Sequence, residues 1–279
     1  MSNKDVVVII GAGAIGRAIA RRQGAGRAVL VADYNEHNLQ SATAALEADG
    51  HAVTAETVDV SSRASVEALI KTATGLGNVV QVVNTAGLSP VQATAEAILR
   101  VDLYGTALFL EQFGTIIEPG GAGLVISSMA GYMLPRLDPE HDRLLAQTPT
   151  EDLLNLPMLS AAAVPGSGAA YAMSKHANHI QVEAASLAWG KRGARVNSIS
   201  PGIVLTPLAR DEMSGPGAAG YQAMLDKSPA RRSGTVDEVA SAAAYLLGPD
   251  AGFITGTDLR IDGGVIPAIK GGQITIQLS

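Results

Sequence analysis

The sequence predicts an α/β fold in a single domain: a doubly wound parallel sheet of about seven strands with helices on both faces. Three observations predict it. Short apolar runs rich in Val, Ile and Ala alternate with longer stretches of helical periodicity, the signature of successive βα units. The first apolar run, 6–10, leads directly into Gly11-Ala-Gly13-Ala14-Ile15-Gly16 and then into a helical pattern. Several runs also end on a polar residue, at Asp33, Asp59, Asn84 and Ser127-Ser128, and the carboxyl ends of strands are where open α/β sheets bind ligands.

Composition sets the outer bounds. The 279 residues, 47% of them hydrophobic, suffice for one large domain without a second. Aromatics make up 4% and glycines number 31, so the core is expected to rest on Val, Ile, Leu and Ala with close backbone approaches at Gly. A net charge of −6 argues against a nucleic-acid partner, whose phosphates call for a basic surface. The absence of Cys excludes disulfides, thiolate metal sites and thiol nucleophiles. No apolar run is long enough to span a membrane and none resembles a cleaved signal. A cytoplasmic protein without a membrane partner is expected.

Taken in order, strands are predicted over 6–10, 28–32, 52–58, 79–83, 123–127, 194–198 and 258–261. Helices are predicted over 35–49, 62–75, 94–118, 169–190 and, behind a Thr235 cap, 236–247. Segment 131–168 is the least regular part, with one short helix expected after Thr150. Segment 205–227, with Gly and Pro in its middle, suits a mobile helical lid. The tail 265–279 alternates Ile274, Thr275, Ile276, Gln277 and Leu278, which fits an added strand, a reach to a neighbouring subunit or a disordered end.

In the glycine stretch, Gly11 permits a tight turn, Gly13 lets a pyrophosphate approach the backbone and Gly16 allows close helix–strand packing. The helix that follows offers free N–H groups and a positive dipole end to the phosphates. Asp33 stands 22 residues beyond Gly11, where a carboxylate accepts hydrogen bonds from an adenosine ribose and repels a 2′-phosphate. This favours NAD over NADP, although Arg17 could attract that phosphate. A turn cap in Asp-Tyr-Asn is the other role open to Asp33. Further on, Tyr171-Ala-Met-Ser-Lys175 places a phenol and an ammonium on one helix face. A nearby ammonium favours the phenolate, so the pair can move a proton for an alcohol or ketone.

In their order along the chain, Gly11-x-Gly-x-x-Gly16, Asp33, Asp59-Val60, Asn84-Thr-Ala-Gly87, Ser128, Tyr171-x-x-x-Lys175, Pro201-Gly202 with Thr206, and Asp262-Gly-Gly264 resemble the short-chain dehydrogenase/reductase family over about 6–264. The resemblance implies a single-domain Rossmann fold. It also implies an NAD-dependent oxidoreductase that interconverts a secondary alcohol and a ketone, working as a homo-oligomer, dimer or tetramer. Tyr171 would be the acid/base, Ser128, favoured over its neighbour Ser127 as the second Ser of such a pair, would hold the substrate oxygen, and Lys175 would lower the Tyr171 pKa and grip the nicotinamide ribose. Gly11, Gly13, Ala14, Ile15 and Gly16 would form the nucleotide loop, with Asp33 on the ribose and Asp59 and Val60 at adenine. Asn84, Ala86 and Gly87 would line the adenosine side. Pro201, Gly202, Val204 and Thr206 would lie near the carboxamide and pyrophosphate. The Leu and Met residues of the 131–168 and 205–227 segments suggest an apolar alcohol or ketone, alicyclic or steroid-like. The alternatives are an NADPH-dependent ketone or 3-oxoacyl reductase and a non-catalytic NAD(P)-binding sensor.

Three departures from the family pattern stand out. The glycine loop is shorter than usual. Asp102 occupies the position of a helical Asn that ties the lysine to solvent through water, and it could hold that water, pair with Lys175 or be structural. Ser128 and Tyr171 are 43 residues apart, an insertion of roughly 30 residues that is too long for an ordinary loop. It joins the active-site strand to the active-site helix and so is expected near the substrate mouth. A similar insertion in some bacterial hydroxysteroid dehydrogenase/carbonyl reductases blocks the helix-to-helix subunit interface, implying a dimer through another face. Equally, it could only cover the sheet end. No metal site is expected: His176-x-x-His179 with Glu183 lacks an evident third ligand, and a packed or hydrogen-bonded pair is favoured. His37, His51 and His141 are expected at the surface and Trp189 in the core.

Overall fold

Val6 to Ile10 form an uninterrupted apolar run, and each is at most 1% exposed, as a parallel strand covered on both faces must be. The computed structural model describes residues 4–134, 137–214 and 218–275. In it this run is β1 (Asp5–Ile10), at the interior of a seven-stranded sheet. β1 pairs in parallel with β2 (Ala28–Asp33) on one side and β4 (Asn78–Asn84) on the other. β3 (Ala52–Thr57) lies beyond β2, while β5 (Ala122–Ile126), β6 (Arg195–Pro201) and β7 (Asp258–Ile261) continue beyond β4. The order is β3-β2-β1-β4-β5-β6-β7 with every pairing parallel. The winding reverses between β1 and β4, the crevice where this topology binds ligands.

Alternate side chains of β1 feed two cores. Val6, Val8 and Ile10 pack with Phe109, Phe113 and Trp189 under α3 (Arg63–Leu76), α5 (Gly105–Phe113) and α7 (Ser167–Lys191). Val7 and Ile9 pack with Ile19, Leu39 and Leu246 under α1 (Ala14–Gln23), α2 (Glu36–Ala48) and α10 (Val236–Leu247). Asn35 and Ser62 cap α2 and α3, and Thr235 with Glu238 forms a reciprocal capping box on α10. Trp189 is fully buried and its indole N–H donates to the Leu110 carbonyl at 3.0 Å.

Three segments differ from expectation. The helix expected over 94–118 is α4 (Ala95–Ile98), a π-helical turn (Leu99–Tyr104) and α5, which stops at Phe113. In this turn side chains reach the Asp102 carbonyl. Thr106 Oγ1 donates to it at 2.8 Å, and the Asn178 amide, oriented to satisfy both groups, donates to the Asp102 and Ser174 carbonyls at 2.9 Å.

Segment 131–168 is more ordered than its composition suggested. α6 (Pro139–Gln147) starts behind an Asp138 cap with Pro139 in its first turn, and 3₁₀ turns follow at Thr150–Asn155 and Pro157–Leu159. Leu145, Leu153, Leu159 and Val164 are buried in a third core with Ile98, Leu103, Ala170 and Ala177. Arg63 of α3, paired with Glu111 of α5, ties the segment to the body through Glu151.

The tail opens with a helix that was not expected, α11 (Val265–Lys270), at whose start both Asp262 oxygens accept N–H groups, from Gly264 at 3.0 Å and Ile266 at 2.8 Å. Val265, Ile266 and Ile274 are buried with Met129, Ile203 and Leu225. Ile276, Gln277 and Leu278 lie outside the described residues. The expected lid is two helices, α8 (Pro207–Ser214) and α9 (Ala218–Lys227). Among the described residues no helix is long and apolar enough to cross a membrane.

Candidate active site

The crevice is floored by the turn after β1. Gly11 takes φ +98°, and Thr85 pins the turn by donating from Oγ1 to the Gly11 carbonyl at 2.9 Å and the Ile10 carbonyl at 3.1 Å. A Cβ at Gly16 would run into the Gly11 carbonyl, so the fold itself requires that glycine. Gly13 is different. Its φ of −67° suits any residue, it is exposed, and a Cβ there would meet nothing within 4 Å. The space over Gly13 opens onto the start of α1, whose N-terminus carries no side-chain cap. Half-buried Ala14 and Ile15 complete that first turn. A pyrophosphate fits there, with N–H donors and a helix dipole facing it.

Asp33 caps this loop and its own turn at once. Its Oδ2 accepts from the Ala12 N–H at 2.6 Å and its Oδ1 from the Asn35 N–H at 2.7 Å, and each oxygen keeps a further lone pair for a ribose hydroxyl. Asp59 Oδ1 accepts from the Ser61 N–H and hydroxyl at 2.8 and 2.7 Å, while Val60 is buried beside it. Asn84 is buried at the end of β4, and its Oδ1 accepts from the Ala86 N–H at 3.1 Å. At the end of β6, Pro201 is the last strand residue and the Gly202 N–H bonds the Ile261 carbonyl at 3.1 Å. Val204 is buried, bridged to Gly234, and Thr206 Oγ1 accepts from the Ala209 N–H at 3.1 Å at the start of α8. Thus Asp33, Asp59, Asn84 and Pro201 stand at the carboxyl ends of β2, β3, β4 and β6.

The two serines after β5 differ in their surroundings. Ser127 is buried, its hydroxyl donating to the Lys175 carbonyl at 3.0 Å and lying 3.1 Å from His179 Nε2. Ser128 is half-buried on the other side of the strand end, and its hydroxyl accepts from the Ala130 N–H at 3.2 Å. The 3₁₀ turn Met129–Tyr132 then lies against α7, so closely that a Cβ at Gly131 would sit 2.7 Å from the Lys175 carbonyl carbon.

On α7, the Lys175 ammonium lies 5.3 Å from the centre of the Tyr171 ring. It also pairs with Asp102 Oδ2 at 3.0 Å, and both side chains are all but inaccessible. Burial opposes the Lys175 charge, but the Asp102 carboxylate and Tyr171 outweigh it and hold its pKa above the ordinary value. Burial lifts the Asp102 carboxyl, against the pull of Lys175 and of the Leu88 N–H. Gly87 is exposed directly above the pair.

Some features were not visible in the sequence. His179 Nε2 lies 2.8 Å from Ser200 Oγ and 3.6 Å from Asp258 Oδ1, and its ring packs on Tyr132 at 4.8 Å. Tyr132 donates to Asp258 Oδ2 at 2.7 Å. Burial drives the His179 pKa down to about 4, despite Asp258. His176 Nε2 lies 2.7 Å from Asp142 Oδ1 of α6. The two histidines are therefore hydrogen-bonded packing groups, and no cluster able to hold a metal occurs among the described residues. His37 and His141 are exposed, while His51 is half-buried beside Gly24 rather than at the surface, because the turn before β3 tucks it there.

A family profile described as "short chain dehydrogenase" matches residues 5–136, and one described as "Enoyl-(Acyl carrier protein) reductase" matches 142–266. The chain is 44% identical to "Short-chain dehydrogenase/reductase bsc3" of Alternaria brassicicola over 95% of its own length and 96% of the relative's. It belongs to the short-chain dehydrogenase/reductase family. As a member, it is an oxidoreductase of a family that uses NAD or NADP. It is also 31% identical to a "3-alpha-hydroxysteroid dehydrogenase/carbonyl reductase" of Comamonas testosteroni, over 64% of this chain and 70% of that one. A solved short-chain dehydrogenase/reductase from Serratia marcescens superposes with a TM-score of 0.73 at 25% identity, covering 95% and 98% of the two chains.

Proposed function

We propose that this short-chain dehydrogenase/reductase interconverts a secondary alcohol and its ketone with NAD, using Tyr171 as proton donor and acceptor. The observation that carries the reading is the buried Lys175 ammonium, 5.3 Å from the Tyr171 ring centre. In that field a phenol can give and recover a proton. Bound dinucleotide supplies or accepts the hydride. In the reductive direction the Tyr171 O–H delivers its proton to the carbonyl oxygen as hydride reaches the carbon. Ser128 donates a second hydrogen bond to that oxygen and stabilises the charge developing there. In the oxidative direction both transfers reverse. Lys175 keeps the phenol poised and holds the nicotinamide ribose.

The cofactor preference rests on Asp33, whose carboxylate is held beside the glycine loop by the Ala12 N–H and disfavours a 2′-phosphate. The Asp59–Val60 and Asn84–Gly87 turns take the adenosine, and the 201–206 turn takes the carboxamide side. Partly buried Met133, Met213, Tyr221 and Met224 pack around the Met129–Ile203 cluster, an adaptable apolar wall suited to an alicyclic or steroid-like substrate. The hydroxysteroid relative supports that class. We assign the protein to the cytoplasm, as a homodimer whose interface avoids the helix faces covered by segment 131–168.

The test is NADH formation from NAD across a panel of apolar secondary alcohols, with NADP in parallel and Tyr171→Phe as control. Turnover with NAD that falls by about 10²–10⁴ in the variant is expected. Turnover confined to NADP would overturn the role of Asp33 and favour a 3-oxoacyl or ketone reductase. Tight NAD binding without turnover on any substrate would favour a nucleotide sensor.

A further inference from the structure

One buried charge takes no part in the proton and hydride transfers just described. Asp102 has no exposed side-chain surface, yet it lies 3.0 Å from the Lys175 ammonium. It has little freedom to move. The Leu88 N–H donates to its Oδ1 at 2.8 Å. Its carbonyl is held by Thr106 and Asn178, and the π-helical turn aims it at α7. From above, a Cβ on Gly87 would come within 3.0 Å of Asp102 Oδ2 and 3.3 Å of Lys175 Nζ, so a side chain there would crowd the pair.

We infer that Asp102 is a positioning residue: it anchors the Lys175 ammonium beneath Gly87 and, as a charge, weakens the field that this ammonium exerts on the Tyr171 phenol. The inference rests on the proposed role of Tyr171. An asparagine could keep the Leu88 hydrogen bond and offer Lys175 an oxygen. What it could not supply is the negative charge, and between side chains as buried as these that charge acts strongly over a few ångströms. Asp102 and Tyr171 are the charged partners that act on Lys175; the elements packed around it also carry His176, His179, Glu183 and Lys191 on α7, Arg100 and Tyr104 on the π-helical turn, Asp142 of α6 beside His176, and Tyr132 on the 129–132 turn, while the 85–88 loop brings none.

The sign follows directly. Oxidation needs the phenolate, so kcat/KM rises with pH to a plateau. With Asp102→Asn the ammonium is unopposed, the phenolate is favoured, and the rising limb moves to lower pH by about one unit. On that limb the variant is about tenfold faster than the parent at equal pH. A second readout needs no substrate: the tyrosinate absorbance of the protein without cofactor, with Tyr171→Phe subtracted, moves the same way, and Asp102→Glu moves it back.

Profiles and absorbance titrations of folded Asp102→Asn that superpose on the parent would sink the inference. Failure of every alcohol would count against the dehydrogenase reading alone, since the absorbance titration still judges Asp102. If Asp102→Asn does not fold, the parent decides through its infrared spectrum with labelled aspartate. No protonated aspartate band is expected at pH 7, and finding one would show a neutral pair and overturn the charge assigned to Asp102.

Discussion

At the scale of single residues, the glycine loop separates two reasons for having no side chain. Gly16 is demanded by the protein, because its Cβ would strike the Gly11 carbonyl, whereas Gly13 faces open space. Gly16→Ala should therefore cost about 1–3 kcal/mol of stability and lower the Tm. Gly13→Ala should melt like the parent but bind NAD at least about tenfold more weakly, a loss of about 1.4 kcal/mol. Melting curves and cofactor titrations of the two variants check this, and equal melting losses would remove the argument for a ligand over Gly13. The positions of Asp33 and of the Tyr171–Lys175 pair were legible in the sequence because they depend on local spacing. The choice between Ser127 and Ser128 was not legible from the residues, since neighbouring identical side chains at a strand end differ only in the face they take. The Asp102–Lys175 contact joins residues 73 positions apart, so it was only one of several possibilities until the helices were packed.

At the scale of elements, the strands and most helices follow from periodicity and caps. The π-helical turn left no sequence trace, because its Asp102 carbonyl is satisfied by the side chains of Thr106 and, from α7, of Asn178. α6 did leave one, in Asp138-Pro139-Glu140, but the charged run around it masked the apolar spacing of Leu144 and Leu145. Two kinds of contact hold segment 131–168 down. The Arg63–Glu151 pair is partly exposed, and such pairs contribute about 0–1 kcal/mol. Leu145 and Leu153 are each 1% exposed, and truncating such a side chain costs about 2–5 kcal/mol. The apolar contacts therefore dominate. We expect Leu153→Ala to lose stability in that range in urea unfolding while sedimenting as the parent does, for which we propose a dimer. A parent tetramer joined through α7 would count against the idea that this segment keeps a second copy off those helices.

At the scale of the whole molecule, the His179–Asp258–Tyr132 network ties α7 to β6, β7 and the turn after β5, and it makes stability depend on pH. The His179 pKa is about 4 in the fold and about 6.5 in the unfolded chain, so the unfolded chain binds more protons between those values. The stabilisation is fully present above pH 6.5 and is lost as pH falls toward 4, by about 3 kcal/mol in all. Urea unfolding between pH 7.5 and 4.5 should show this slope, and His179→Asn should flatten it; equal slopes would assign the acid lability elsewhere. The sheet order carries a consequence of another kind, for a chain that emerges from the ribosome one end first. β1 to β4 can pair as they appear, and β5 adds to β4 at once. The outer edge of β5, with Leu124, Val125 and Ile126, has its partner only when β6 has been made. Translation of the intervening segment, about 70 residues at roughly 5–20 residues per second, takes on the order of 3–15 s. For that interval the nascent protein presents a bare apolar strand edge, the feature most prone to pairing with a stranger.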